Sequence, residues 1–226
     1  MKRLVALGMK KIYQIGPCFR ADETGTRHRP EFTLLEWYEC GADYCDLLDF
    51  AKGLIHSVAD VLKVDRPATW TTMTVDRAFR KFADVSAVDA IASGRFEELL
   101  TDVVEPALGK SPTILIDYPI QLGALARPSA ADPTVAERWE LYLNGLEIAN
   151  TYSELVDVDE QRRRFEATAE LRKKDGRVAY PIDERFMDAL ATMPPTAGSA
   201  MGIERLMMAL LNVDDIGDLS PFGNEL

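Results

Sequence analysis

Apolar and polar positions follow different rhythms along this chain, and each rhythm predicts an element. From Glu31 to Cys40 aromatic and aliphatic residues recur at strand spacing. Side chains alternate along a strand, so Phe32, Leu34, Glu36 and Tyr38 share one face and Leu35 and Trp37 the other. Both faces are largely apolar, which predicts a central strand. Upstream, Lys11–Ile15 and Pro17–Arg20 read as a short strand broken near Gly16, and the polar stretch 21–30 as a loop. Between Asp43 and Leu62 the residues Leu47, Leu48, Ala51, Leu54, Ile55 and Val58 fall at helical spacing, with Asp43 as the N-cap.

Farther on, 137–154 reads as a hairpin centred on Asn144-Gly145, a strong short turn signal. Leu141, Leu143, Leu146 and Ile148 predict that one face of it is covered. Residues 157–175 form a charged surface helix stopped by Gly176, and 181–193 another helix. Gly198–Leu211 reads as a glycine-opened helix with Ile203, Leu206, Met207 and Leu210 on one face. The middle, 63–131, is the least diagnostic and reads as insertion-like. It predicts helices over 74–82 and 96–108, a buried strand over 113–118, and a loop over 126–133. Strands with helices between them indicate an α+β fold, here as a single domain over residues 1–226.

Composition narrows the function classes. A formal net charge of −11 speaks against nonspecific attraction to nucleic acid and suits a basic protein partner better. No apolar run approaches the roughly 20 residues of a membrane span. No signal peptide is visible, so a cytoplasmic location is expected, with Cys18, Cys40 and Cys45 as reduced thiols.

Several polar residues sit where the pattern does not want them. Glu36 stands among aromatic neighbours, and an unpaired buried charge is costly. It therefore needs a cationic partner, either an internal arginine or a ligand's ammonium. In the hairpin, Tyr142 faces Glu147, and Glu140 lies diagonal to Glu147. Two carboxylates on one face repel unless a cation such as Mg²⁺ sits between them; the other reading is a solvated outer face. A bulge near Ala149 would bring Glu147 and Asn150 together. Arg20, Arg27, His28 and Arg29 surround the first loop, a composition suited to polyphosphate but also common on solvated loops. Arg205 lies in an otherwise apolar helix, as a salt-bridge partner or a ligand contact. His56 reads as structural.

Taken together, these segments resemble class II aminoacyl-tRNA synthetases of the lysyl branch. Phe19-Arg20-Ala21-Asp22-Glu23 and Arg27-His28-Arg29-Pro30-Glu31-Phe32-Thr33 look like the second family motif. Gly145-Leu146-Glu147-Ile148-Ala149-Asn150 with Ser153-Glu154-Leu155 resembles the lysyl-type amino-acid and metal segment. Pro194-Pro195-Thr196-Ala197-Gly198, running to Gly202-Ile203-Glu204-Arg205, resembles the third. The resemblance implies a class II antiparallel sheet flanked by helices, with the first motif and the carboxylate for the substrate's α-amino group lying before Met1. On this reading the chain is an N-terminally truncated, incomplete version of the fold.

Residue by residue, the resemblance implies an ATP site of Arg20, Asp22, Glu23, His28, Phe32 and Arg205, with Arg20 and Arg205 catalytic. It implies an amino-acid pocket of Glu36, Tyr38, Asn150, Glu154 and Ala200, and Mg²⁺ on Glu140 and Glu147. Glu154 and Tyr38 would take the substrate's ε-ammonium. Two departures from the synthetases matter most. Arg20-Ala21-Asp22 replaces the usual Arg-x-Glu, and Ala200 stands where lysyl-tRNA synthetases typically have Gly. Ala200, with no anticodon-binding barrel ahead of the catalytic part, points to the paralogues that attach (R)-β-lysine to elongation factor P. The expected partners are lysine or β-lysine, elongation factor P rather than tRNA, and a second copy in a homodimer. The alternatives are a lysyl-tRNA synthetase core and a catalytically impaired module.

Overall fold

The computed structural model describes residues 1–21 and 23–220. A short helix α1 (Lys2–Ala6) leads into β1 (Lys11–Phe19) and β2 (Glu31–Cys40), followed by the long helix α2 (Tyr44–Leu62). Asp43 caps α2 in a reciprocal capping box with Asp46, as the sequence predicts. The middle segment supplies β3 (Thr71–Thr74), α3 (Val75–Phe82), α4 (Ala87–Ala92), α5 (Phe96–Leu99), a wide π turn at Leu100–Val104, α6 (Glu105–Leu108) and β4 (Thr113–Pro119). Then come β5 (Val135–Leu143), β6 (Leu146–Ser153), α7 (Val158–Lys174), α8 (Glu184–Leu190), β7 (Thr196–Gly202) and α9 (Ile203–Leu211).

The strands form one seven-stranded sheet in the order β1-β2-β7-β6-β5-β4-β3. Every pairing is antiparallel except β3 with β4. This is the α+β arrangement read from the sequence. One face carries the main core, where Leu47, Ala51 and Ile55 of α2 meet Trp139, Leu141, Ile148 and Met201. A second cluster joins the middle helices, through Val75, Phe79, Phe96 and Val104, to Leu115, Tyr118 and Tyr142. The middle segment therefore extends the sheet rather than standing apart from it.

Three local readings need correction. Gly16 does not break its strand: β1 is continuous, with Gly16 opposite Leu34. Pro17, which lacks an N–H, is tolerated because β1 is an edge strand. The helix expected over 181–193 is only Glu184–Leu190, capped by the Asp183 carboxylate on Phe186 N. Most consequentially, Gly198–Gly202 is not helical. It belongs to β7, and the helix begins only at Ile203. Small residues carry little strand propensity of their own. Here β2 on one side and β6 on the other supply the hydrogen bonds that make the segment a strand.

Gly176 follows α7 with φ +70°. The three cysteines are unbridged, and His56 contacts the Pro67 carbonyl at 3.1 Å in a structural role. No helix among the described residues is long and apolar enough to cross a membrane. Tyr13, Ile15 and Phe19 share a face of β1 and are exposed at 73%, 60% and 73%, an apolar face along an open sheet edge.

Candidate active site

The register across the sheet lines up the site. One row runs Glu36–Ala200–Asn150–Glu140 over β2, β7, β6 and β5. The next runs Tyr38–Gly198–Tyr152–Arg138. In both rows β7 contributes the smallest side chain, so it forms the floor of a trough between larger walls. A Cβ on Gly198 would lie 2.3 Å from Tyr38 Cε1 and 2.4 Å from Glu154 Oε1. Only glycine lets these two walls approach so closely. The trough opens into a cavity of about 350 Å³.

Arg20, Glu23, His28, Phe32, Glu36, Tyr38, Glu147, Asn150, Glu154, Ala200 and Arg205 all line this one cavity. Asp22 lies outside the described residues. At one end Arg205 Nη2 donates to His28 Nε2 at 2.6 Å, and its Nη1 donates to the Glu147 carbonyl at 3.0 Å. Accepting at Nε2 requires a neutral imidazole. Burial and the Arg205 charge indeed hold His28 below its ordinary value. Arg20 donates to Glu23 at 2.9 Å, which lowers the Glu23 carboxyl, and its guanidinium lies 5.6 Å from the Phe32 ring centre.

At the other end Glu154 is 2% exposed, and burial raises its carboxyl. Burial, then Glu154 and Glu36, keep the Tyr38 phenol protonated. Glu36 has no hydrogen bond or ion pair among the described residues, so the internal arginine allowed by the sequence is not its partner.

The hairpin has the turn and the Tyr142–Glu147 pairing read from the sequence. Leu141 pairs with Ala149 and Tyr142 with Glu147, so Ile148 is the extra residue of a bulge. That bulge aligns Asn150 opposite Glu140. Glu140, expected beside Glu147 in the cavity, stands behind the cavity wall, where four donors reach it. Tyr118 Oη lies at 2.5 Å, Tyr142 Oη at 2.8 Å and Asn150 Nδ2 at 3.0 Å, with the Arg138 guanidinium close against the same carboxylate. Arg138 is itself held over the Tyr118 ring at 4.2 Å. The sequence reading missed Arg138, although its two-residue spacing from Glu140 signals a shared face. It also missed Glu204, whose carboxylate accepts from Thr33 N at 2.9 Å and anchors the start of β2. Lys2 was missed too: its ammonium meets Glu154.

Glu147 tests whether the site suits a divalent cation. Its carboxyl is pushed up to about 7 by burial and by Glu140, against the pull of Arg205. A carboxylate so disfavoured gains from a hard cation. Glu147 fits as a ligand. Glu140, already serving four donors, fits as a fixed negative charge behind it. Because a bound cation must displace the Glu147 proton, Mg²⁺–nucleotide affinity is expected to rise with pH through about 7. Without the ion the sign for folding is opposite. The raised carboxyl stabilises the fold at low pH, and that contribution is lost as pH climbs from the ordinary carboxylate range to about 7. Titration calorimetry of the wild type and Glu147→Gln across this window checks the first trend, and a slope equal in both excludes Glu147 as the ligand.

The class II tRNA synthetase (D, K and N) family model matches residues 1–226. The chain belongs to this family. It is 37% identical to the elongation factor P–(R)-β-lysine ligase of Mannheimia succiniciproducens, over 99% of this chain and 74% of that protein. The ligase of the same name from Proteus mirabilis is 36% identical over 98% of the chain and 74% of the relative. The lysine–tRNA ligase of Thermosynechococcus vestitus is 34% identical over 98% of the chain, which spans half of that protein's length. The mixed sheet flanked by helices is the class II catalytic architecture expected of this family.

Proposed function

We propose that this protein is an ATP-dependent ligase that activates a lysine-type amino acid and transfers it to a lysine side chain of elongation factor P. The observation that carries this reading is the cavity, which brings the guanidinium groups of Arg20 and Arg205, with His28 beside Arg205, and the carboxylates of half-buried Glu36 and buried Glu154 into one continuous space. A molecule that is polyanionic at one end and cationic at the other suits this arrangement.

In the proposed reaction the amino acid's carboxylate attacks the α-phosphorus of ATP and pyrophosphate leaves. Arg20 neutralises charge developing at the α-phosphate, and Arg205 and His28 hold the outer phosphates. For His28, which is neutral here, this requires donation from the ring or protonation beside the phosphates. Phe32 offers its ring to the adenine, with Glu23 near the exocyclic amine. Arg20 must then turn off the Phe32 face on which it rests. Glu147 would hold a Mg²⁺ that supplies charge to the phosphates, with Glu140 behind it. Asn150, tethered through Nδ2 to Glu140, keeps Oδ1 buried without a hydrogen-bond partner, an acceptor ready for the substrate. In the second step an acceptor amine attacks the activated carbonyl and AMP leaves. No protein nucleophile is required; positioning carries the step.

Ala200 supports a β-amino over an α-amino substrate. It lies between Glu36 and Asn150 in the floor, where one methyl shifts the substrate backbone. Ala200→Gly is expected to improve α-lysine activation modestly, since a methyl-sized difference is worth about 1–3 kcal/mol. An unchanged α/β preference would remove Ala200 from the argument. The relatives named as elongation factor P ligases, and the net charge of −11, support a protein acceptor. We include a homodimer in the proposal, supported by the apolar face of β1.

The deciding experiment is ATP–pyrophosphate exchange with lysine, (R)-β-lysine and (S)-β-lysine in parallel, followed by transfer to elongation factor P or to lysine tRNA. Transfer to tRNA alone would favour the second reading, a lysyl-tRNA synthetase core, to which the lysine–tRNA ligase relatives lend support.

A further inference from the structure

The acidic end of the cavity already holds an ammonium of the chain's own. Lys2 Nζ lies 2.5 Å from Glu154 Oε2, with the two side chains 14% and 2% exposed. Glu154 is thus a deeply buried carboxylate whose close counter-ion is a lysine of the chain itself.

Beside it, Glu36 has no partner among the described residues. Lys2, Glu36, Tyr38 and Leu125 together line both the main cavity and an adjoining one of about 590 Å³. They form the partition between the two. Lysine's flexible four-carbon stem can swing a point charge across such a partition.

We infer that Lys2 is a displaceable internal counter-ion of the amino-acid pocket. It holds Glu154 until a substrate's ammonium takes its place, and then turns to Glu36. This rests on the proposed role of Glu154 as receptor of the substrate's cationic end. The charges balance before and after. Lys2 and Glu154 are paired at first; afterwards two ammonium groups face two carboxylates. A neutral side chain of the same length offers no such exchange and must leave the Lys2–Glu154 pair intact, in its way. Lys2 therefore lowers affinity for every side chain but least for a cationic one, and so sets selectivity.

Lys2→Met retains the apolar stem and removes the charge. If Lys2 holds the pocket closed most of the time, its removal lowers the apparent Kd for the cationic amino acid about tenfold, with the Kd for ATP unchanged. Calorimetry measures both. A second arm uses the wild-type chain, labelled with ¹³C at lysine Cε, with the Lys2 signal assigned through Lys2→Arg. That signal should move on adding the lysine-type amino acid and stay in place with norleucine. Equal or weaker amino-acid binding by folded Lys2→Met, or an unmoved Lys2 signal, overturns the inference. If Lys2→Met does not fold, the wild-type signal decides. Wild type that exchanges pyrophosphate with no lysine-type amino acid counts against the proposed activity. Wild type that does exchange, with Lys2→Met no tighter, counts against the role of Lys2 alone.

Discussion

Gly198→Ala is expected to reduce amino-acid-dependent pyrophosphate exchange by about 100-fold or more, the scale of loss when a reacting group is misplaced by about 1 Å. The added Cβ would stand 2.3 Å from Tyr38 Cε1 and 2.4 Å from Glu154 Oε1. Neither side chain can yield freely. Tyr38 is fixed on β2 opposite Gly198, and Glu154 is buried with its backbone N–H donating to the Thr196 carbonyl. Overpacking of this kind costs about 1–3 kcal/mol of stability. Thermal melting should therefore show a lower midpoint but a folded protein. Nucleotide binding should survive, because Arg20, His28 and Arg205 lie at the other end of the cavity. Full exchange activity in folded Gly198→Ala would mean that the amino acid is not held between Tyr38 and Glu154.

Glu154→Gln is expected to erase the preference for lysine over norleucine while leaving ATP binding largely intact. Truncating one member of a buried charge pair costs about 2–5 kcal/mol. Here that loss falls on the complex with a cationic substrate. The same change removes the partner of Lys2, so the free protein also loses stability, reduced by the 14% of the Lys2 side chain that reaches water. Comparing exchange with lysine and with norleucine in both proteins isolates the selectivity. A variant that still prefers lysine would move the ammonium subsite to Glu36, another carboxylate lining the cavity.

These expectations draw unequally on sequence and structure. Local signals were enough for much of the fold, because their physics is local. The Asp43 cap and the spacing of Leu47, Ala51 and Ile55 define α2. Asn144-Gly145, both at positive φ, sets the hairpin turn and with it the pairing of Tyr142 with Glu147. Alternation along Glu31–Cys40 put Phe32, Glu36 and Tyr38 on one face, and all three do line the cavity. The motifs that resemble class II synthetases likewise draw together residues from β2, β6, β7 and α9.

The tertiary structure decided what depends on a neighbour far along the chain. Gly198–Gly202 carries no strand signal of its own, since small residues lack the side chains that create one. It becomes the floor of the site only because β2 and β6 hydrogen-bond to it from either side. Gly16 reads as a break for the same reason, and β2 holds it in line. Glu140 and Glu147 looked equivalent in the alternating pattern. The Ile148 bulge and the donors Tyr118, Tyr142, Arg138 and Asn150 left one carboxylate saturated behind the wall and the other raised to about 7 inside it. The pairing of Lys2 with Glu154 could not be read from either segment alone. A buried charge requires a counter-ion, but which residue supplies it is set by how the chain folds back on itself.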